Sequence, residues 1–387
     1  MIESSSLHQS PSSSDTRIAR IAWPDTVKGI AILWIVFFHG FKEFRSGLYP
    51  WPLDDGFWRT MCGACANATE LALCSVKAAV VAVFCVGFHG VGVFILLSGF
   101  TLGVGAARRQ GQADWRSWYR SRLTRLFPLY WTAHLIYLIS PSRFHLEAID
   151  YRFVLSFLGD RLVPLNDVFL YANPAWWFFG LLLQLYLVFP LLFEALRRVG
   201  AYWFLGGVAL LTLVTRYLVL FPWASQYSES LLLGAMFTSR LFEFAAGIVL
   251  ATAFVHDPNA TTRWLRHPQT AALGAILYIA GIYSYGPPLA YIATDALIGC
   301  GLATILAAVA LRIDFHPWLR APLARAGMYS YGLYLLHQPY MIWLGTTLRG
   351  ESLAVFLIAD AAAVAVLAYI AMAIEKRVNA LVARAIG

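Results

Sequence analysis

Lys28 and His39 stand eleven positions apart in the stretch VKGIAILWIVFFHG, residues 27–40. An imidazole titrates near neutrality and suits the removal of a proton from a weak nucleophile such as a hydroxyl. A lysine in the same segment offers positive charge to an anionic group. On a helix the two side chains differ by about 20° in direction and by about 16.5 Å along the axis. One face then carries a cation near one end and a base toward the other. Glu43 follows His39 by four positions, where a carboxylate orients the ring or raises its basicity. Plainer readings stand beside these. A lysine at the edge of an apolar segment snorkels to headgroups, and a histidine there serves as an interhelical polar contact.

Other positions carry the same two-sided reading. Arg122 and Arg125 share a helix face, with Arg120 nearby. They read as phosphate recognition by guanidinium groups or as topology and headgroup contacts. Ser98 and Gly99 interrupt an apolar run with further glycines at 87, 90 and 92. Small residues let membrane helices approach closely, and a thin wall also leaves room for a ligand. Gln184 and Tyr186 line a cavity or join helices. Arg240 and Glu243, three apart, read as an internal pair that supports a cavity. Ser330, Tyr334 and His337 form one stripe, and Pro339 just after them is a candidate kink. His89 is a further polar candidate, ranked below His39. Cys62 and Cys65 have dithiol spacing without a second pair, so neither a redox nor a metal role is assigned. No metal cluster and no G-x-S-x-G serine elbow is present in the sequence.

The elements that must position these groups follow from composition. Of 387 residues, 59% are hydrophobic and 13% charged, well below the roughly 25% charged of soluble domains. Apolar runs of near twenty residues recur throughout, each long enough to cross a core of about 30 Å as helix. The fold class is all-α: a polytopic helical membrane protein with about ten transmembrane helices, near 27–45, 86–107, 126–141, 174–196, 201–221, 231–254, 269–285, 289–311, 327–347 and 352–374. The serine-rich residues 1–19 read as a disordered cytoplasmic tail, 20–377 as the membrane domain and 378–387 as a short cytoplasmic tail. Arginine clusters such as 108–125 fall on one side of this frame, which sets both termini in the cytoplasm. The apolar stretch 71–85 runs into the next span. Two spans there would turn those arginines outward, so one full span is kept. The net charge of +8 reflects this loop bias, and no nucleic-acid partner is expected.

PDTVKGIAILWIVFFH resembles the opening motif of the integral-membrane acyltransferase family three, in which a basic residue and a histidine are separated by ten positions. The basic residue there is most often arginine, and Lys28 keeps its charge without the guanidinium fork. GVGVFILLSGFT (90–101), RSRLTRLFPLY (120–130), WFFGLLLQLYLVFP (177–190), RLFEFAAG (240–247) and SYGLYLLHQP (330–339) are similar to later elements of that family, in its order. The likeness covers about residues 20–377.

The resemblance implies a sugar O-acetyltransferase type of chemistry. An acyl group, acetyl above all, passes from cytoplasmic acetyl-CoA or another acyl-CoA to a hydroxyl of an extracytoplasmic carbohydrate such as exopolysaccharide or lipopolysaccharide. It makes His39 the catalytic residue, as general base or by first taking the acyl group covalently, and sets Lys28, Arg122, Arg125, Ser98 and Gly99 on the acyl-CoA side. Glu43, Gln184, Tyr186, Arg240, Glu243, Tyr334 and His337 become acceptor or support residues. The expected partners are acyl-CoA, a glycan and the lipids of the cell's inner, plasma membrane. The competing class is a transporter or exporter of a small or lipid-linked solute, with His39, Arg240 and Glu243 as pathway groups. That class does not anticipate a basic patch beside a glycine-thinned helix.

Overall fold

The computed structural model describes residues 21–46, 48–54, 56–65, 67–109, 114–141 and 149–386. The proposed tail 1–19 lies outside these. No strand occurs among the described residues. The longer helices among the described residues are α1 (Trp23–Phe44), α2 (Phe57–Cys62), α3 (Ala68–Cys85), α4 (Gly90–Arg108), α5 (Trp115–Tyr137), α6 (Tyr151–Leu158), α7 (Trp177–Leu220), α8 (Leu241–His256), α9 (Pro258–Arg266), α10 (Pro268–Tyr283), α11 (Thr294–Ile313), α12 (Pro317–Met328), α13 (Ser330–Thr347) and α14 (Leu353–Ile386). Each of the ten apolar segments is helical over much of its length, with breaks inside 231–254 and 327–347. Among the described residues, five helical runs are long and apolar enough to cross a membrane: Ala68–Arg108, Pro174–Leu220, Phe237–His256, Ala290–Ile313 and Leu353–Ala385. Large apolar side chains such as Leu187, Leu191, Ile276 and Ile358 lie exposed on the outside of the bundle, as lipid contact requires and water does not favour.

Local chemistry explains the ends. α1 opens on Pro24 with Asp25 in its first turn and closes with Lys42 in its last, each matched to its end of the helix dipole. At α3 the Asn67 side chain caps the helix by accepting from Glu70 N and also donates to Glu70 Oε1, both at 2.9 Å. Gly200 adopts φ 79° inside α7 and breaks it into two helices, near where the sequence divides 174–196 from 201–221. The helix α14 continues without interruption through residues 378–386.

The stretch 71–107 makes one pass rather than two. Trp34 Nε1 donates to Val83 O at 2.8 Å, Gly87 abuts Trp34 and Phe38, and Lys28 Nζ donates to Thr101 Oγ1 at 3.3 Å. Residues 83 to 101 therefore descend along α1 in the opposite sense, with a short 3-10 turn at Gly87–His89. The second half of α3 packs its Ala78, Val81 and Cys85 with Phe41 and Phe44 at the far end of α1 and with Phe356 of α14.

Small residues set the closest helix contacts. A Cβ on Gly99 would meet Phe244 O, and one on Gly247 would meet Leu96 O, so α4 and α8 touch backbone to backbone. Gly92 and Gly299 bring α4 against α11 in the same way.

Candidate active site

α1 carries Lys28 and His39 into one cavity of about 550 Å³. Helix contacts fix its long dimension. Thr101, beside Lys28, and Gly92, beside Arg240 and Gly299, are nine residues apart on α4, about 13.5 Å of helix. The far part of α11 packs with Trp23 and Val104. Asp295, four residues before Gly299, thus lies about 6 Å further from the Lys28 end.

The Lys28 end is walled by Asp25, Ser98, Thr101, Arg122 and Arg125. The Arg122 guanidinium lies 5.5 Å from the Trp118 ring centroid, and its Nε is buried without a hydrogen-bond partner. A half-buried guanidinium with an unspent donor suits an anionic ligand.

Higher in the cavity His39 meets His337, ring centroids 4.9 Å apart. His337 Nδ1 lies 3.1 Å from Leu333 O and 2.9 Å from Tyr334 O. Carbonyls only accept, so in the neutral ring Nδ1 carries the proton and Nε2 is an acceptor. That Nε2 lies 3.2 Å from His39 Nδ1, which also lies 2.9 Å from Ile35 O. His39 Nδ1 therefore donates, shared between the two, and its Nε2 keeps a lone pair. This tautomer assignment comes from the hydrogen-bond network. Of the two rings, only His39 has a nitrogen left for a reactant.

The broken hydrogen-bond ladder of α13 holds His337 in place. Pro339 has no N–H for the carbonyl of Leu335. That carbonyl instead accepts from Asn173 Nδ2 at 3.1 Å and Trp176 Nε1 at 2.9 Å. Ala175 N donates to Gln338 Oε1, and the Tyr334 hydroxyl donates to Ala175 O. Residues 173–176 thus clamp the helix beside His337.

The cavity wall includes Lys28, His39, Ser98, Arg122, Arg125, Tyr186, Arg240, Tyr334 and His337. Four other residues singled out in the sequence lie elsewhere. Glu43 pairs with Arg349 at 2.9 Å, and Arg349 Nε also donates to Glu43 O; His39 Nδ1 is held by Ile35 O and His337 instead. Gly99 is spent on the contact with Phe244. Gln184 braces an unwound stretch, donating to Gly234 O and accepting from Phe237 N, each at 3.2 Å. Glu243, fully buried, accepts from Arg240 Nε at 2.8 Å.

A family model for the Acyltransferase domain of acyltransferase family three matches residues 21–374. The chain belongs to that family. No curated protein and no solved structure matches it. Membership sets the reaction class of this family-three acyltransferase as acyl transfer, carried out by a membrane protein.

The acyltransferase cavity has a second polar end that sequence reasoning largely missed. Its wall includes His89, Glu229, Arg240, Tyr285, Tyr291 and Asp295. Asp295 pairs with Arg216 and lies 3.4 Å from Arg240 NH1. His89 meets the Tyr278 and Tyr285 hydroxyls at 2.9 and 3.2 Å. The available signal was an ionisable residue inside or at the edge of an apolar run, as at Arg216 and Asp295.

Proposed function

We propose that this protein transfers an acyl group, acetyl in the first instance, from acyl-CoA to a hydroxyl of a carbohydrate. The observation that carries the reading is one cavity shared by the Lys28, Arg122 and Arg125 cations and by the free nitrogen of His39. A volume of about 550 Å³ suits a drug-sized group. The cations bind the phosphates of the donor by charge, with the arginines adding directed N–H groups. The acyl end of the donor reaches toward His39.

His39 Nε2 takes the proton of the acceptor hydroxyl as its oxygen attacks the thioester carbonyl. The carbon–sulfur bond then breaks, and the imidazolium returns its proton to the departing thiolate. The products are the O-acyl sugar and free CoA. His337 stabilises the imidazolium by accepting from its Nδ1. In the membrane, ten helices cross, the Lys28 end faces the cytoplasm, and both termini lie there. The site of action is the plasma membrane, with the glycan on the opposite side.

The test is purified protein in lipid nanodiscs with radiolabelled acetyl-CoA. Binding or slow thioester hydrolysis is expected. Arg122→Ala with Arg125→Ala should raise the acetyl-CoA Kd about tenfold or more, as expected for losing charge-assisted contacts of roughly 1.5–3 kcal/mol. An unchanged Kd would assign the arginines to topology. Solute flux in proteoliposomes with no handling of the thioester would replace the whole reading with a transporter.

A further inference from the structure

We propose that the cavity end formed by Glu229, Arg240, Tyr285, Tyr291 and Asp295 is an acceptor subsite for an uncharged sugar ring that turns away an anionic one. The inference rests on the acyl-transfer reading for its purpose, and on position, charge and shape for its content.

Position comes first. This end lies some 13 to 20 Å of helix from Lys28, at the level of His39 and away from the phosphate-binding side. A donor anchored at Arg122 and an acceptor held here would approach His39 from different directions.

Charge comes second. The two cations of this region are already neutralised. Arg240 is engaged by Glu243 at 2.8 Å and by Asp295 at 3.4 Å. Arg216 is engaged by the same Asp295 and donates to Tyr291 O at 3.0 Å. Glu229 stands exposed on the wall as a further carboxylate. Glu243 and Asp295 thus balance the two arginines, and Glu229 leaves one carboxylate in excess on the wall, the reverse of the Lys28 end. Carboxylates accept from sugar hydroxyls but repel a uronate or a phosphorylated ring.

Shape comes third. The Tyr285 and Tyr291 rings stand 5.9 Å apart at 47°. His89 holds the Tyr285 hydroxyl at 3.2 Å, its ring nearly parallel to that of Tyr285 with centroids 6.1 Å apart, and the Arg216 guanidinium lies 5.7 Å from the Tyr291 ring centroid. The result is a pre-set aromatic wall whose faces suit the C–H face of a sugar, beside carboxylates for its hydroxyls.

Saturation-transfer NMR with nanodisc-embedded protein tests this with no acyl donor present, so its outcome is independent of catalysis. The probes are methyl β-glucoside and methyl β-glucuronide. The neutral glycoside should bind about fivefold or more tightly than the anionic one, the effect of one repelled charge in a wet site. Glu229→Gln, at an exposed position, should shrink that gap to within about twofold, the step expected when the unit charge is removed. Tyr285→Phe should weaken both. Equal binding of the two glycosides, no binding of either, or a gap that survives Glu229→Gln overturns the proposal. Absence of thioester chemistry in the acetyl-CoA assay, with glucoside binding intact, would overturn the proposed reaction and leave the subsite standing.

Discussion

The tautomers of His39 and His337 give the two histidines unequal shares in the reaction. If His39 is the base, His39→Ala removes proton transfer and should lower acetyl transfer by about 10²–10⁴, or about 2.7–5.4 kcal/mol of barrier. His337 has no free nitrogen and acts through His39. Its removal leaves His39 Nδ1 still bonded to Ile35 O at 2.9 Å. What is lost is one hydrogen bond at 3.2 Å, about 0.5–1.5 kcal/mol, so His337→Ala should cost about 2- to 13-fold. The double variant should be no slower than His39→Ala, since a positioning residue has nothing left to position. His337→Gln restores an acceptor toward His39 and a donor toward the carbonyls, and should recover part of the loss. The assay is label transfer from acetyl-CoA to glycan in nanodiscs, normalised to folded protein by size-exclusion chromatography. Equal losses from the two alanine variants, or losses that multiply in the double variant, would refute the assignment.

Two further variants probe the surroundings. Arg240→Ala strands Glu243, which is fully buried, and should destabilise the fold by about 3–5 kcal/mol, with Arg240→Met plus Glu243→Leu recovering much of it; thermal unfolding in detergent reads this, and an unchanged midpoint for the single variant would mean that Glu243 finds another partner. Glu43→Gln breaks a pair whose side chains are 25% and 45% exposed, so stability should change by no more than about 1 kcal/mol and activity should hold; a large loss of activity would return Glu43 to the service of His39.

The helical character was legible because apolar run length needs no tertiary information. The shared face of Lys28 and His39 was legible too, because helix geometry alone fixes it. Glu43 shows the limit. Its spacing from His39 allows an interaction, but Arg349, 306 residues away in sequence, competes for the carboxylate, and no local pattern announces such a partner. Gly99 reads identically whether it faces a ligand or Phe244. Asp295 and Arg216 were visible as charges against apolar background, yet their pairing joins segments 79 residues apart. Asp360 is visible in the same way. It lies fully buried against Gly40 with no hydrogen-bond partner for either oxygen.

The cavity forms where regular helix fails, which hydropathy averaging does not register. Irregular backbone at membrane depth survives only where protein or a cavity satisfies its polar groups. Around Leu231–Arg240 the chain passes through π and 3-10 turns, with Gly234 at φ 156°. Gln184 and Ser239 take up the freed groups, and the stretch ends on Arg240 at the cavity wall. In α13 the carbonyl that Pro339 leaves open is taken by Asn173 and Trp176, next to His337. The 3-10 turn at Gly87–His89 likewise delivers His89 to the wall. In each case a residue remote in sequence or a small local break satisfies the backbone, and a polar side chain is turned inward. A bundle of unbroken helices with the same composition would bury the same apolar surface, but it would lack these three openings through which its polar side chains reach a common space.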